Sequence, residues 1–255
     1  MLIYPPVGSA RSDAALAVNV YSGCSHGCLY CYAPAATFVK RDKFFTVCDA
    51  RKGSFLQELR CEAMQRMRKR QGGHVLLSFT SDPYQEIDLE FNHTRRVLEI
   101  LHSSGHSFVT LTKGGRRSLR NLDLYIPGID EFGTTMTVTT EELRQWWEPG
   151  SDTFEGRCEA LKEFNSAGIY TWISLEPVLY VDEVKRIIET TREYVDHYRI
   201  GRLNRHQHAK TIDWYKFAAG VTRQCLDNDI PYFIKKELLP FLPAGVPDTY
   251  KCQRP

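Results

Sequence analysis

Three cysteines, Cys24, Cys28 and Cys31, stand within eight residues, in the stretch NVYSGCSHGCLYCY that runs from Asn19 to Tyr32. The spacing is C-x3-C-x2-C. Three thiolates on one tight loop can hold three irons of a [4Fe–4S] cubane and leave the fourth without a protein ligand. An iron with an open position can take an external chelate, much as an open position distinguishes catalytic from structural zinc. The same residues allow a second reading, a zinc-binding module whose fourth ligand is His26 or the distant Cys48. Zinc ribbons normally show two C-x2-C knuckles, and a second knuckle is missing here. The other five of the eight cysteines are scattered. Cys48, Cys61, Cys158 and Cys225 read as free buried thiols.

Such a loop needs rigid elements on both sides. Residues 14–21 read as a first strand that runs into it, and the chain then alternates helix and strand. Residues 54–70 have helical spacing, with Phe55, Leu59, Ala63 and Met67 on one face, Ser54 as a cap and Gln57 at the capping-box position. Strands are predicted at 74–79, 107–112, 132–140, 169–175, 198–203 and 232–235. Helices are predicted at 93–105, 116–125, 154–167, 181–195 and 211–228, with 141–153 as a loop containing Trp146 and Trp147. Strands separated by helices imply parallel βαβ units with right-handed crossovers. About six units and a final strand fall short of the eight of a complete barrel. The expectation is an α/β fold, a partial (β/α)6 TIM-type barrel of parallel strands, in one domain over 1–255. Its cluster loop would span 22–34, its core about 14–240 and its tail 241–255. The cysteine loop then sits at the C-terminal end of the first strand, where such folds place their chemistry.

Composition excludes little. The 255 residues carry 33 basic and 31 acidic side chains, for a net charge of +2, so nucleic acid is neither favoured nor excluded by charge alone. No run approaches the roughly 18 apolar residues of a membrane span. The first residues lack the basic and apolar parts of a signal peptide. A cytoplasmic protein without membrane contact is expected.

The motif GCSHGCLYCYAP resembles the radical S-adenosylmethionine superfamily, and more narrowly the group related to spore photoproduct lyase. The phrases SFTSDPYQEID (78–88), TLTKGG (110–115), ISLEPV (173–178), IGRLN (200–204), IDWYKF (212–217) and IPYFIKKELL (230–239) extend the likeness over residues 17–239. The resemblance implies a [4Fe–4S] cluster on Cys24, Cys28 and Cys31 whose open iron binds S-adenosylmethionine. It also implies an electron donor such as flavodoxin or ferredoxin, and a 5′-deoxyadenosyl radical that takes a hydrogen atom from the substrate. Thr80, Ser81 and Asp82 stand where the superfamily meets the methionyl amino group, although its glycines are absent here. Lys113 corresponds to a lysine that pairs with the methionyl carboxylate, a task suited to a point charge. Thr137 and Thr139 could reach the ribose hydroxyls, and Tyr30 and Tyr32 flank the last cysteine.

For the substrate, Tyr84, Glu176, Arg202, Asn204 and Arg205 follow predicted strands and would face the barrel mouth. Arg116, Arg117, Arg202 and Arg205 are expected to rim a basic funnel. Such a mouth suits a nucleic-acid base or nucleotide, stacked or flipped, and the reaction would be of lyase, isomerase or base-modifying type. Modification of a peptide or protein is the alternative. A photoproduct lyase returns a hydrogen atom from a late cysteine. Here Cys225, Cys252 or a tyrosine would have to serve.

Overall fold

The computed structural model describes residues 1–7, 11, 13–46, 48–50, 53–204 and 206–252. Short runs rich in Val, Leu, Ile and Thr form strands, as their branched side chains favour. They are β1 (Leu16–Val18), a ribbon of β2 (Tyr21–Ser22) and β3 (Asp49–Ala50), then β4 (His74–Leu77), β5 (Ser107–Thr112), β6 (Glu131–Thr135), β7 (Tyr170–Val178), β8 (His197–Arg202), β9 (Tyr232–Ile234) and β10 (Thr249–Tyr250). One sheet takes the order β1-β4-β5-β6-β7-β8-β9-β10. Its first seven strands run parallel and β10 is antiparallel to β9. This is the expected partial barrel, with an antiparallel edge that the sequence pattern did not announce.

The helices are α1 (Ala33–Ala36), α2 (Arg41–Thr46), α3 (Phe55–Arg68), α4 (Asp88–Phe91), α5 (His93–Ser103), α6 (Glu141–Trp147), α7 (Phe154–Ser166), α8 (Val181–Thr191) and α9 (Trp214–Asp227). A 3-10 helix spans Gly115–Leu124. Four expectations change. The first strand stops at Val18, because the Asn19 side chain turns to accept from the Phe79 and Thr80 N–H groups, both at 3.0 Å. Ser54 makes no side-chain cap to the backbone of α3, and Met67 at its far end is exposed. The Thr-rich strand ends at Thr135, leaving Thr137 and Thr139 beyond it. The supposed loop at 141–147 is α6, started by Thr140 Oγ1 accepting from the Leu143 N–H.

Strand alternation sorts side chains onto two faces. Val75, Phe108, Phe132, Ile173, Tyr198 and Ile200 face the helices, joining Leu98 of α5, Leu161 and Phe164 of α7 and Phe217 of α9 in one buried cluster. Phe132 and Phe164 stack with centroids 3.9 Å apart. Burying one such side chain contributes about 1.5–3 kcal/mol. The opposite face forms a second cluster of Ala17, Leu76, Val109 and Trp172 inside the curl of the sheet. Trp172 fits there because Gly133 lies against it: a Cβ at that position would come within 2.4 Å of the indole. Arg199 covers the other side of the ring, 4.2 Å from its centroid. Above this plug the C-terminal ends of the parallel strands open into a mouth.

Candidate active site

The cysteine loop leaves β2 and ends at α1, where Pro34 occupies the first turn and fixes the helix start. Gly27 sits between the first two cysteines at φ +64°, a left-handed conformation that glycine adopts without strain. The loop backbone is bonded at many points. Cys24 N–H donates to the Phe44 carbonyl (3.1 Å), Leu29 N–H to that of Trp147 (2.9 Å) and Cys31 N–H to that of Cys28 (3.1 Å). Ser25 N–H donates to Gln85 (2.9 Å). Arg41 of α2 donates to the carbonyls of Cys28 and Leu29, both at 2.6 Å, and of Cys31 at 3.2 Å. Burial pushes the Cys28 thiol up to about 12, with Lys113 opposing and Glu148 and Cys31 adding to the rise. Burial, Asp82 and Cys28 raise Cys24 well above the thiol range. Among the described residues no three His, Cys, Asp or Glu side chains converge as one metal ion would require. The thiolates of a cubane bind three different irons.

Asp82 locks the end of β4 to this loop. Its carboxylate accepts from Tyr84 N–H (2.9 Å), Thr112 Oγ1 (2.6 Å) and Lys113 N–H (2.8 Å). His26 Nδ1 lies 3.4 Å away. Burial works against the charged form of Asp82, but His26 and the donors hold its carboxyl below the usual range. Burial pushes His26 down to about 4, so the ring is neutral near pH 7. Arg117 stands 3.0 Å from Nε2. A guanidinium can only donate, so Nε2 accepts and the ring proton belongs on Nδ1, toward Asp82. Thr80 is held by its N–H bond to Asn19. Ser81 Oγ is buried and has no hydrogen-bond partner.

Lys113 follows β5. Burial would depress its ammonium, but Cys28, Glu148 and Asp82 raise it, and its Nζ lies 5.8 Å from the centre of the Tyr30 ring. Tyr30 donates to the fully buried Glu148. Glu148 also accepts from Thr137 Oγ1 (2.9 Å) and from Arg157 (2.6 Å). Arg157 is itself buried and donates to the Asp152 and Thr135 carbonyls (3.0 and 2.8 Å) and to Ser151 Oγ (2.5 Å). Burial opposes the Glu148 charge, yet Arg157 and Lys113 bring its carboxyl down to about 2. Thr139 is turned elsewhere: its N–H donates to Glu183 and its hydroxyl accepts from Arg186 at 3.2 Å.

Across the mouth, Glu176 on β7 pairs with Lys235 at 2.7 Å, and Lys235 also reaches Asp13 at 2.8 Å. Asp13 is bonded in turn by Arg199 at 3.2 Å. Gly201 leaves the space Glu176 occupies, since a Cβ there would come within 2.7 Å of the carboxyl carbon. Burial raises the Glu176 carboxyl while Lys235 opposes it. Tyr32, 58% exposed, directly precedes α1. Its hydroxyl donates to the Phe79 carbonyl at 2.9 Å.

Several expected substrate residues lie elsewhere. Tyr84 is fully buried, its hydroxyl near those of Tyr125 and the amide of Asn121, each at 3.4 Å. Arg202 shares the helix-facing side of β8 with Tyr198 and Ile200. Its guanidinium stacks on Trp214 (5.2 Å) and Phe241 (5.1 Å). Asn204 is exposed and bonds back to the Arg202 carbonyl at 3.2 Å. Arg205 lies outside the described residues. Arg116 pairs with Glu159 at 2.5 Å, and Arg117 braces His26 and the Tyr84 carbonyl. The basic funnel is therefore not formed by Arg116, Arg117 and Arg202. Residues that sequence reasoning missed are Arg41, Glu148, Arg157, Lys235 and Asp13. One of them had a signal: Arg157 falls on the apolar stripe of α7 with Ala160, Leu161 and Phe164, where a charge needs a buried partner.

Two observations bear on whether these residues fit the implied cofactors. Three thiols, the soft donors an iron–sulfur cluster takes, stand free on one loop, Cys28 buried and Cys24 and Cys31 half-buried. Beside them are an orphaned hydroxyl, Ser81, and a charged Lys113, a donor pair suited to an amino-acid head group. The residues fit.

The family model described as Radical SAM superfamily matches residues 18–195. An uncharacterized protein of Methanocaldococcus jannaschii is 28% identical over 189 residues, 73% of this chain and 70% of that protein. An uncharacterized protein of Mycobacterium tuberculosis is 27% identical over 169 residues, 64% of this chain and 49% of that one. Among solved structures, a spore photoproduct lyase mutant with bound AdoMet and dinucleoside spore photoproduct superposes with a TM-score of 0.60 at 18% identity. The match covers 80% of this chain and 61% of the lyase. SuiB of Streptococcus suis bound to S-adenosylmethionine gives 0.64 at 11% identity, over 89% of this chain and 52% of SuiB. SuiB has also been solved bound to its precursor peptide SuiA. At these identities the structural likeness is one of fold, and the chain spans about half to two thirds of those proteins.

Proposed function

The chain belongs to the radical S-adenosylmethionine superfamily, and from that premise we propose that it abstracts a hydrogen atom from a nucleobase or nucleotide, as a lyase, isomerase or base-modifying enzyme. The family's cofactors are a [4Fe–4S] cluster and S-adenosylmethionine, which together supply a 5′-deoxyadenosyl radical by one-electron reductive cleavage. Cys24, Cys28 and Cys31 would hold the cluster. Lys113 and Ser81 would bind the methionyl carboxylate and amino groups. Asp82 positions Lys113 by accepting from its N–H, and Glu148 fixes Tyr30 and Thr137. Two features support a base as substrate: the exposed ring of Tyr32 beside the cluster loop, and the carboxylate of Glu176 near the end of β7, anchored by Lys235. An aromatic face stacks any base, and a carboxylate accepts from its N–H edge.

Lys113→Ala is expected to weaken S-adenosylmethionine binding by about 10- to 100-fold, the loss of one charge-assisted contact worth roughly 1.5–3 kcal/mol. Iron content should stay at the wild-type level. Equilibrium titration of the reconstituted protein measures this, and unchanged affinity would remove Lys113 from the cofactor site. For the substrate, the test is anaerobic incubation of reduced enzyme and cofactor with DNA, RNA and nucleotides, followed by mass spectrometry of nucleosides. A new or altered nucleoside formed with 5′-deoxyadenosine is the expected result. Turnover with a peptide and none with any nucleic acid or nucleotide would overturn the assignment.

A further inference from the structure

We propose that Lys235 and Asp13 are positioning residues for Glu176: one buried ammonium, shared between the two carboxylates, holds Glu176 at the mouth and also closes the open side of the barrel. The proposal rests on the reading of Glu176 as a substrate contact, and its test needs no substrate. The sheet does not close on itself. Its order runs from β1 at one edge to β9 and β10 at the other. Asp13 stands just before β1 and reaches across this gap. Its carboxylate accepts from Arg199 of β8 at 3.2 Å and from Lys235, which directly follows β9, at 2.8 Å. Its backbone carbonyl also accepts from Arg199, at 3.1 Å. These partners lie 186 and 222 residues away in sequence, so the contacts tie the first strand to the last parallel ones. Asp13, Arg199 and Lys235 are all buried. Charges at that depth need partners, and here two cations face two anions, Glu176 being the second.

Lys235 has the geometry of a shared donor. Its Nζ lies 2.8 Å from Asp13 Oδ2 and 2.7 Å from Glu176 Oε2. Its backbone N–H is fixed on the Ile200 carbonyl at 2.9 Å. An ammonium has three donors and no directional fork, so it can serve two carboxylates at once. Glu176 Oε1 lies over Gly201, where a Cβ would come within 2.8 Å of it. That oxygen has no hydrogen-bond partner among the described residues. One charged acceptor is thus left for the mouth, suited to a ligand N–H or O–H and unsuited to an anion. Burial, Asp13 and Glu237 raise the Glu176 carboxyl, and Lys235 opposes them. Removing Lys235 and removing Asp13 must therefore move it in opposite directions. Simple loosening of the site would admit water and lower it in both.

The test uses the reconstituted full chain and infrared titration of the Glu176 carboxyl, whose band is identified by its absence from Glu176→Gln. Lys235→Met should raise the Glu176 pKa by at least about one unit, and Asp13→Asn should lower it. Amide hydrogen exchange should be at least about fivefold faster in β1 and β9 of Lys235→Met, with β5 and β6 as in the wild type. Shifts of the same sign in the two variants, or no shift in either, overturn the positioning role. Unchanged exchange in β1 and β9 overturns the closure. If Lys235→Met does not fold, Asp13→Asn decides: Glu176 must titrate lower while β7, which carries it, keeps its wild-type exchange rate, and an unshifted titration overturns the proposal. None of these results depends on whether a nucleobase is the substrate, so they can fail while that assignment stands.

Discussion

Cys28→Ala should emerge from anaerobic reconstitution without its cluster, whereas the wild type takes up about four irons and four sulfides. Formation of 5′-deoxyadenosine should fall below detection with it. The fold should survive. The loop is held by Arg41, Gln85 and Trp147 through backbone groups that the substitution leaves in place, and removing one thiol from a partly open loop should cost no more than about 1 kcal/mol. Iron and sulfide analysis beside a melting curve therefore separates loss of the ligand from loss of structure. Cys24→Ala and Cys31→Ala should behave alike. Retention of four irons in any of the three would remove that cysteine from the ligand set.

Arg157→Met should destabilise the protein by about 3 kcal/mol, because it removes the hydrogen-bonded partner of the Glu148 carboxylate in a site closed to solvent and leaves only the more distant charge of Lys113. For a chain of this size that is roughly 10 °C in melting temperature. The effect should depend on pH. In the wild type the Glu148 carboxyl is lowered from its ordinary 4.5 to about 2. That depression adds roughly 3 kcal/mol of stability above pH 4.5, which is lost as the pH falls from 4.5 toward 2. Without Arg157, burial raises the carboxyl, so the variant gains relative stability on acidification as Glu148 takes up a proton. The gap between the two melting curves should narrow from pH 7 to pH 4. The double variant Glu148→Gln/Arg157→Met should recover much of the loss, since neither charge is then stranded. A shift below about 2 °C at pH 7 would show that the pair contributes little.

What could be read from sequence follows the range of the forces involved. Strand and helix order was legible because apolar periodicity is local, and β5 matches its predicted limits residue for residue. The cysteine loop was legible because its three thiols lie within eight residues. Thr137 was placed near the site, but its partner Glu148 was not, since nothing in a sequence says which buried acid a hydroxyl will meet. Arg202 shows the limit of reasoning from strand ends. Being near the end of β8 put it at the right height, and the two-residue alternation put it on the wrong face. Its neighbour Gly201 lies on the other face, and its missing side chain makes the room that Glu176 fills. Tyr84 failed for the same kind of reason: the motif around Asp82 was recognised, but the chain turns there, and the tyrosine follows it into the interior.

The Trp172 plug makes the barrel a cup. With Ala17, Leu76 and Val109 packed around the indole, the floor is sealed and the rim is the way in. A reactive intermediate formed near the rim then has a single front to be defended against solvent, and the molecule that crosses the rim last becomes the stopper. Protection of the chemistry would in that sense be shared: the protein supplies the walls and the base, and a substrate bulky enough to fill the rim would supply the lid.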